Sequence, residues 1–115
     1  MLRVGRLSKT ARASIEAPDA QVHVSVASVW EVAIKVGLGR WSEAEAILHD
    51  IDKHLERVGF TVLPIAIDHV RLAGLIKSDH RDPFDRLLAA QAQIEGLTLV
   101  TVDPKLTGLG AETLW

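Results

Sequence analysis

The segment His80-Arg81-Asp82-Pro83-Phe84-Asp85-Arg86-Leu87-Leu88-Ala89-Ala90-Gln91-Ala92 places two carboxylates, Asp82 and Asp85, at the mouth of an alanine-rich helix. Further on, the apolar run Leu97-Thr98-Leu99-Val100-Thr101-Val102 has the composition of a buried strand and stops at Asp103-Pro104. A third acid therefore stands at a strand's carboxyl end, and Glu31 follows the valine-rich run 22–26 in a similar way. In an open α/β sheet, ligands gather outside the carboxyl ends of the strands, and these acids fall at or just after such strand-to-helix junctions. Ionised carboxylates brought close together repel strongly at low effective dielectric, and a divalent cation relieves that repulsion. Oxygen donors without His or Cys at matching spacing favour Mg²⁺ or Mn²⁺ over zinc. Such an ion supplies an activated water and neutralises charge on a phosphate, so phosphodiester hydrolysis is the chemistry most natural to this set.

Each acid also has a simpler role open to it. Ser28-Val29-Trp30-Glu31 fits a capping box, in which Glu31 reaches back to the start of its own helix. Asp82 has the chemistry of an N-cap, Pro83 of a first helical residue, and Asp85 of an acid three residues after the cap. Asp103 suits a turn before Pro104. Lys35, one turn beyond Glu31, and Arg40 are candidates for contacts to substrate phosphates, although a lysine stem lying along an exposed face is the commoner arrangement. His49, His54 and His69 are expected on helices as surface or packing residues. His23 falls in a strand, and His80 is placed to orient the Asp82 or Asp85 carboxylate or to satisfy a loop.

The elements that must carry these residues alternate. The pattern predicts a short helix over 8–16, a strand over 22–26, and a helix from Ser28 towards Gly37 or Gly39. Ser42-Glu43-Ala44-Glu45 has capping-box spacing, and Ile47, Ile51 and Leu55 follow on one face of a single predicted helix that stops near Gly59. Next come a strand over 60–63, a helix from Asp68 through Ile76, the helix that begins near Pro83, the strand 97–102, and an edge strand over 112–115. Strands and helices alternating in this order argue for an α/β domain with a parallel sheet covered on both faces.

With 115 residues, 48% of them hydrophobic, the chain is long enough to form one domain, spanning 1–115, around its own core. Thirteen basic against fifteen acidic residues give a formal charge of −2, so any grip on a polyanion must be local or assisted by metal. The lack of cysteine excludes disulfides, thiolate zinc sites and thiol catalysis, and fits a reducing compartment, with the cytosol expected. No apolar stretch approaches the length of a membrane span, so no membrane partner is expected.

Three motifs together carry a family resemblance. Ser25-Val26-Ala27-Ser28-Val29-Trp30-Glu31-Val32-Ala33-Ile34-Lys35 with Gly37-Leu38-Gly39-Arg40, the segment 80–92 quoted above, and Leu99-Val100-Thr101-Val102-Asp103 resemble successive motifs of PIN-domain proteins, specifically the VapC-type toxins of toxin–antitoxin pairs. The resemblance implies a three-layer α/β fold with a mainly parallel sheet flanked by helices. It also implies a Mg²⁺-dependent endoribonuclease, with Mn²⁺ as an alternative ion. In that reading Glu31, Asp85 and Asp103 are catalytic and hold metal, and Asp82 is a supporting acid. Lys35, Arg40, Arg86 and Thr101 are the candidate substrate contacts. The implied partners are an RNA substrate, a cognate antitoxin and a second copy of the chain. The family's first strand, which carries a further aspartate, has no counterpart ahead of Arg6, and residues 6–16 resemble the segment that follows it. Met1 is accordingly expected to lie inside the domain, with low activity for the chain as written. The alternative is a catalytically impaired PIN fragment that acts as an antitoxin-binding or dimerisation module.

Overall fold

The computed structural model describes residues 8–101 and 104–115, and its first helix begins where a serine can cap it. In α1 (Lys9–Glu16) the Ser8 hydroxyl accepts the Ala11 N–H at 3.0 Å, satisfying one of the donors that a helix start leaves without an intrahelical partner. The chain then enters β1 (His23–Ser25), which is shorter than the predicted 22–26. The reason is Ser25, whose hydroxyl accepts the Ala27 N–H at 3.0 Å and starts α2 (Val26–Gly37) three residues before the predicted cap at Ser28.

The single helix predicted after Ser42 is divided. A 3₁₀ turn (Ser42–Ala44) leads into α3 (Glu45–His49), the backbone leaves helical geometry at Asp50 (φ −124°, ψ 38°), and α4 (Ile51–Arg57) resumes beyond it. The Ser42 capping box does not form, since the cap position belongs to Trp41 and makes no side-chain hydrogen bond there. One straight helix could not both lie on α2, as α3 does, and deliver the chain to β2, as α4 does. The break reconciles the two contacts.

Strand β2 (Thr61–Leu63) pairs parallel to β1, with His23 opposite Thr61 and Ser25 opposite Leu63. Helices α5 (Ile67–Leu75) and α6 (Pro83–Glu95) follow, then β3 (Leu99–Val100), a 3₁₀ segment (Pro104–Leu109) and β4 (Thr113–Leu114). Strand β4 pairs parallel to β3, so the expected edge strand is present. Both ladders have the expected parallel sense, and among the described residues no strand joins one to the other. The expectation that the family's first strand is lacking falls on residues 1–7, outside the described residues. No helix among the described residues is long and apolar enough to cross a membrane.

Helix α6 lies at the centre, packed on α5, α2, β3 and the second 3₁₀ segment. Its start matches the sequence signals: Asp82 Oδ1 accepts the N–H groups of Phe84 at 2.9 Å and Asp85 at 3.3 Å, and Pro83 occupies the first helical position. Its end is a Schellman turn through Gly96 at φ 66°, with the Leu97 N–H on the Ala92 carbonyl at 2.8 Å. That bond ties Leu97 to the helix and explains why β3 begins at Leu99 and not at the predicted 97, while the predicted end at Val102 lies outside the described residues.

Ala89 and Ala92 of α6 pack with Leu106, Leu109 and Ala111, flanked by Ile76 and Leu99. Small side chains let the backbones approach, and the largest fully buried side chains are polar ones, His69 and Gln91. The cap on α6 yields a direct test. Asp82→Ala is expected to lower the unfolding free energy by about 1 kcal/mol in urea titrations, while Asp82→Asn, which keeps a capping oxygen, loses far less. Equal losses would show that Asp82 does not act as the cap.

Candidate functional site

Asp85 stands in the first turn of α6, held there by the Asp82 cap and by His80. The His80 ring donates from Nε2 to Asp85 Oδ2 at 2.7 Å, with both side chains about three-quarters or more buried. Because an ionised carboxylate only accepts, the bond places a proton on Nε2 of His80. It also fixes the carboxylate's orientation, and Oδ1 makes no hydrogen bond with the described residues. The alternatives open for His80 thus resolve in favour of Asp85 over Asp82.

The loop that presents His80 is clamped by Arg86. Its Nε donates to the Ala73 carbonyl at 2.9 Å, Nη1 to the carbonyls of His80 at 2.8 Å and Ser78 at 3.4 Å, and Nη2 to that of Ile76. A guanidinium has five donors in a rigid fork, and four of them close this loop onto the start of α6. Arg86, a candidate substrate contact by its place in the motif, is positioned here as a backbone clamp.

Glu31 lies in the second turn of α2, half-buried and past the reach of that helix's cap, because Ser25 and not Ser28 occupies the cap position. The capping-box role for Glu31 is therefore not realised. Trp30 and Phe84 meet edge to face, with ring centroids 5.0 Å apart and planes inclined by 63°. That contact sets the turn bearing Glu31 beside the turn bearing Asp85. Lys35 follows one turn later on α2 and is half-buried, and Arg40 is exposed just past the helix, its N–H bonded to the Lys35 carbonyl at 3.0 Å. Thr101 follows β3, with its N–H on the Leu114 carbonyl at 3.0 Å. Asp103 lies outside the described residues.

A buried polar network that the sequence pattern does not single out links α2, α6 and α5. The Ser25 hydroxyl donates to Gln91 Oε1 at 2.5 Å, and Gln91 Nε2 donates to the Pro64 carbonyl at 3.3 Å. His69, 2% exposed, accepts the Ala66 N–H on Nδ1 at 2.9 Å and therefore carries its ring proton on Nε2, which donates to Glu95 at 2.9 Å. His69 is thus a packing residue, one of the two roles expected for it, and it takes over the start of α5 from Asp68, which pairs with Arg71 on the surface instead. One available signal was Gln91 itself, a polar side chain set among alanines on the face that Leu87 and Leu88 mark as apolar.

Among the described residues no group of three or more His, Cys, Asp or Glu side chains gathers closely enough to hold a metal ion. The chemistry of the donors is nonetheless that of a hard-cation site, since Mg²⁺ commonly takes one or two carboxylates and completes its shell with water and phosphate oxygens. Glu31 and Asp85 are carboxylates of that chemical type, carried on two helices that touch.

The family model for the PIN domain matches residues 5–111, nearly the whole chain. No curated protein and no solved structure matches it. The order of motifs, the parallel ladders and that match agree, and the chain belongs to the PIN domain family.

Proposed function

We propose that this chain is a divalent-metal-dependent endoribonuclease of the VapC type, the toxin of a type II toxin–antitoxin pair. PIN domains are generally nucleases and typically use divalent metal ions. The observation that carries the reading is the Trp30–Phe84 contact, which sets the Glu31 and Asp85 turns side by side while His80 holds Asp85 in one orientation.

In this reading Glu31 and Asp85 bind the ion, Asp103 completes the set, and Asp82 supports it chiefly by capping α6. When bound, Mg²⁺ or Mn²⁺ supplies charge neutralisation at a phosphate and an activated water. Lys35, on the same face of α2 as Glu31, and Arg40, just past the helix, contact substrate phosphates, which gives RNA a local cationic path on a chain of net charge −2. Thr101, at the end of β3, contributes a hydroxyl near the site. Val26, Trp30 and Ile34 of α2 and Leu38 at its end recur four residues apart and are all exposed, which favours a protein partner on that helix. The cognate antitoxin and a second copy of the chain are the partners this reading assigns.

Titration calorimetry with Mn²⁺ tests the site. Glu31→Gln and Asp85→Asn each keep shape and remove one charge, and each should weaken binding at least about tenfold, in step with loss of Mg²⁺-dependent, EDTA-sensitive cleavage of RNA. Unchanged Mn²⁺ affinity in both variants contradicts the assignment. His80 gives a second, separate expectation. Loss of a hydrogen-bond partner behind a metal ligand commonly costs about 10- to 100-fold in affinity, so His80→Ala should weaken Mn²⁺ binding by that order, and His80→Gln, able to donate from a similar place, should recover part of it. If His80→Ala binds as the parent does, His80 does not orient the ligand.

A further inference from the structure

We infer that Ser25 and Gln91 form a buried brace that sets the register of α2 against α6, and so are positioning residues for the Glu31 and Asp85 carboxylates. The inference rests on the metal site proposed above and deepens it. A serine hydroxyl has one proton, and that of Ser25 goes to Gln91 Oε1 at 2.5 Å while its oxygen accepts the Ala27 N–H at 3.0 Å. The amide of Gln91 has one satisfied orientation. Turned over, Oε1 would face the Pro64 carbonyl and His69 Nδ1, both acceptors, in place of the Nε2 that now lies 3.3 Å and 3.4 Å from them.

Ser25 caps the helix that carries Glu31, and Gln91 belongs to the helix that carries Asp85. The bond between them and the Trp30–Phe84 contact pin the two helices at two points. From Ser25 to Trp30 the chain advances along α2, while the matching contacts retreat along α6 from Gln91 to Phe84, so the helices run antiparallel. At a rise of about 1.5 Å per residue the two pins lie roughly 8 to 10 Å apart along the axes. The pin beside the carboxylates involves a ring that is 58% exposed. The distant pin is buried, hydrogen-bonded and directional, with Gln91 1% exposed. A slip of α2 by one residue would move Glu31 by about 1.5 Å relative to Asp85, and misplacement on the order of 1 Å can cost about a hundredfold in rate.

The test compares Ser25→Gly, Gln91→Met and Ser25→Thr in the full chain. Glycine retains most of the capping preference at a helix start, so Ser25→Gly removes the brace while sparing the cap. Gln91→Met keeps length and removes both polar atoms. Both variants should keep a helical circular dichroism spectrum, lose the nuclear Overhauser cross-peaks between the Trp30 and Phe84 rings, and bind Mn²⁺ about tenfold more weakly, with RNA cleavage reduced in kcat more than in KM. Ser25→Thr should restore all three, and the Ser25→Gly/Gln91→Met double variant should be no worse than the weaker single one. Parent-like ring cross-peaks in both single variants, or Mn²⁺ affinity within twofold of the parent in both, overturn the brace. A parent chain that binds no Mn²⁺ instead overturns the metal site, and the ring cross-peaks then still decide whether the brace sets the helix register.

Discussion

The Gln91 amide is the constraint on which the arrangement depends. It is fully buried at the middle of α6 and joins the cap of α2 through Ser25, the end of β2 through the Pro64 carbonyl, and the start of α5 through its approach to His69. A buried polar group left without partners costs about 1–3 kcal/mol, so each of these neighbours must come to its proper place for Gln91 to be accommodated. The apolar residues around it cannot impose the same selectivity. Alanines such as Ala27, Ala73, Ala89 and Ala90 permit close approach of helices, but a methyl group packs almost as well after a small rotation or slide. Direction in this core comes from hydrogen bonds.

Helix α6 consequently joins structure and chemistry in one element. Its buried face holds Gln91, its last turn gives Glu95 to His69, and its first turn presents Asp85 beside α2. The loop before it is equally determined. Arg86 reaches back from α6 to bind carbonyls on both sides of that loop, and the loop returns His80 to Asp85. The carboxylate is oriented by the helix cap, the histidine and the arginine clamp together, none of which lies further than thirteen residues from Asp85 in the chain. Glu31 depends on longer-range order, because the position of its whole helix is set by the bond between Ser25 and Gln91, sixty-six residues apart.

That difference in range explains what the sequence disclosed. The start of α6 was legible because Asp82 and Pro83 act within a turn of their own positions, and the same holds for the start of α1 at Ser8. The start of α2 was not, since Ser25 and Ser28 are equally good caps locally and only the distant Gln91 favours the first. Periodicity through Ile47, Ile51 and Leu55 read as one helix, whereas the break at Asp50 answers to α2 on one side and β2 on the other. The sequence groups the acids through their places after predicted strands; Glu31 and Asp85 lie on helices in contact, and Asp103 lies outside the described residues. The parts of His69 and Arg86 depend on partners that no local pattern names.

The central claim is that Glu31 and Asp85 address one ion. Paramagnetic broadening by substoichiometric Mn²⁺ in a two-dimensional spectrum of the ¹⁵N-labelled chain tests it most directly, because the effect falls steeply with distance from the ion. The account predicts that amide signals around Glu31 on α2 and around Asp85 on α6 disappear together at the same low Mn²⁺ ratio, ahead of those near exposed acids such as Asp68 and Glu43. Broadening centred on either helix alone, or first at the exposed acids, would contradict it.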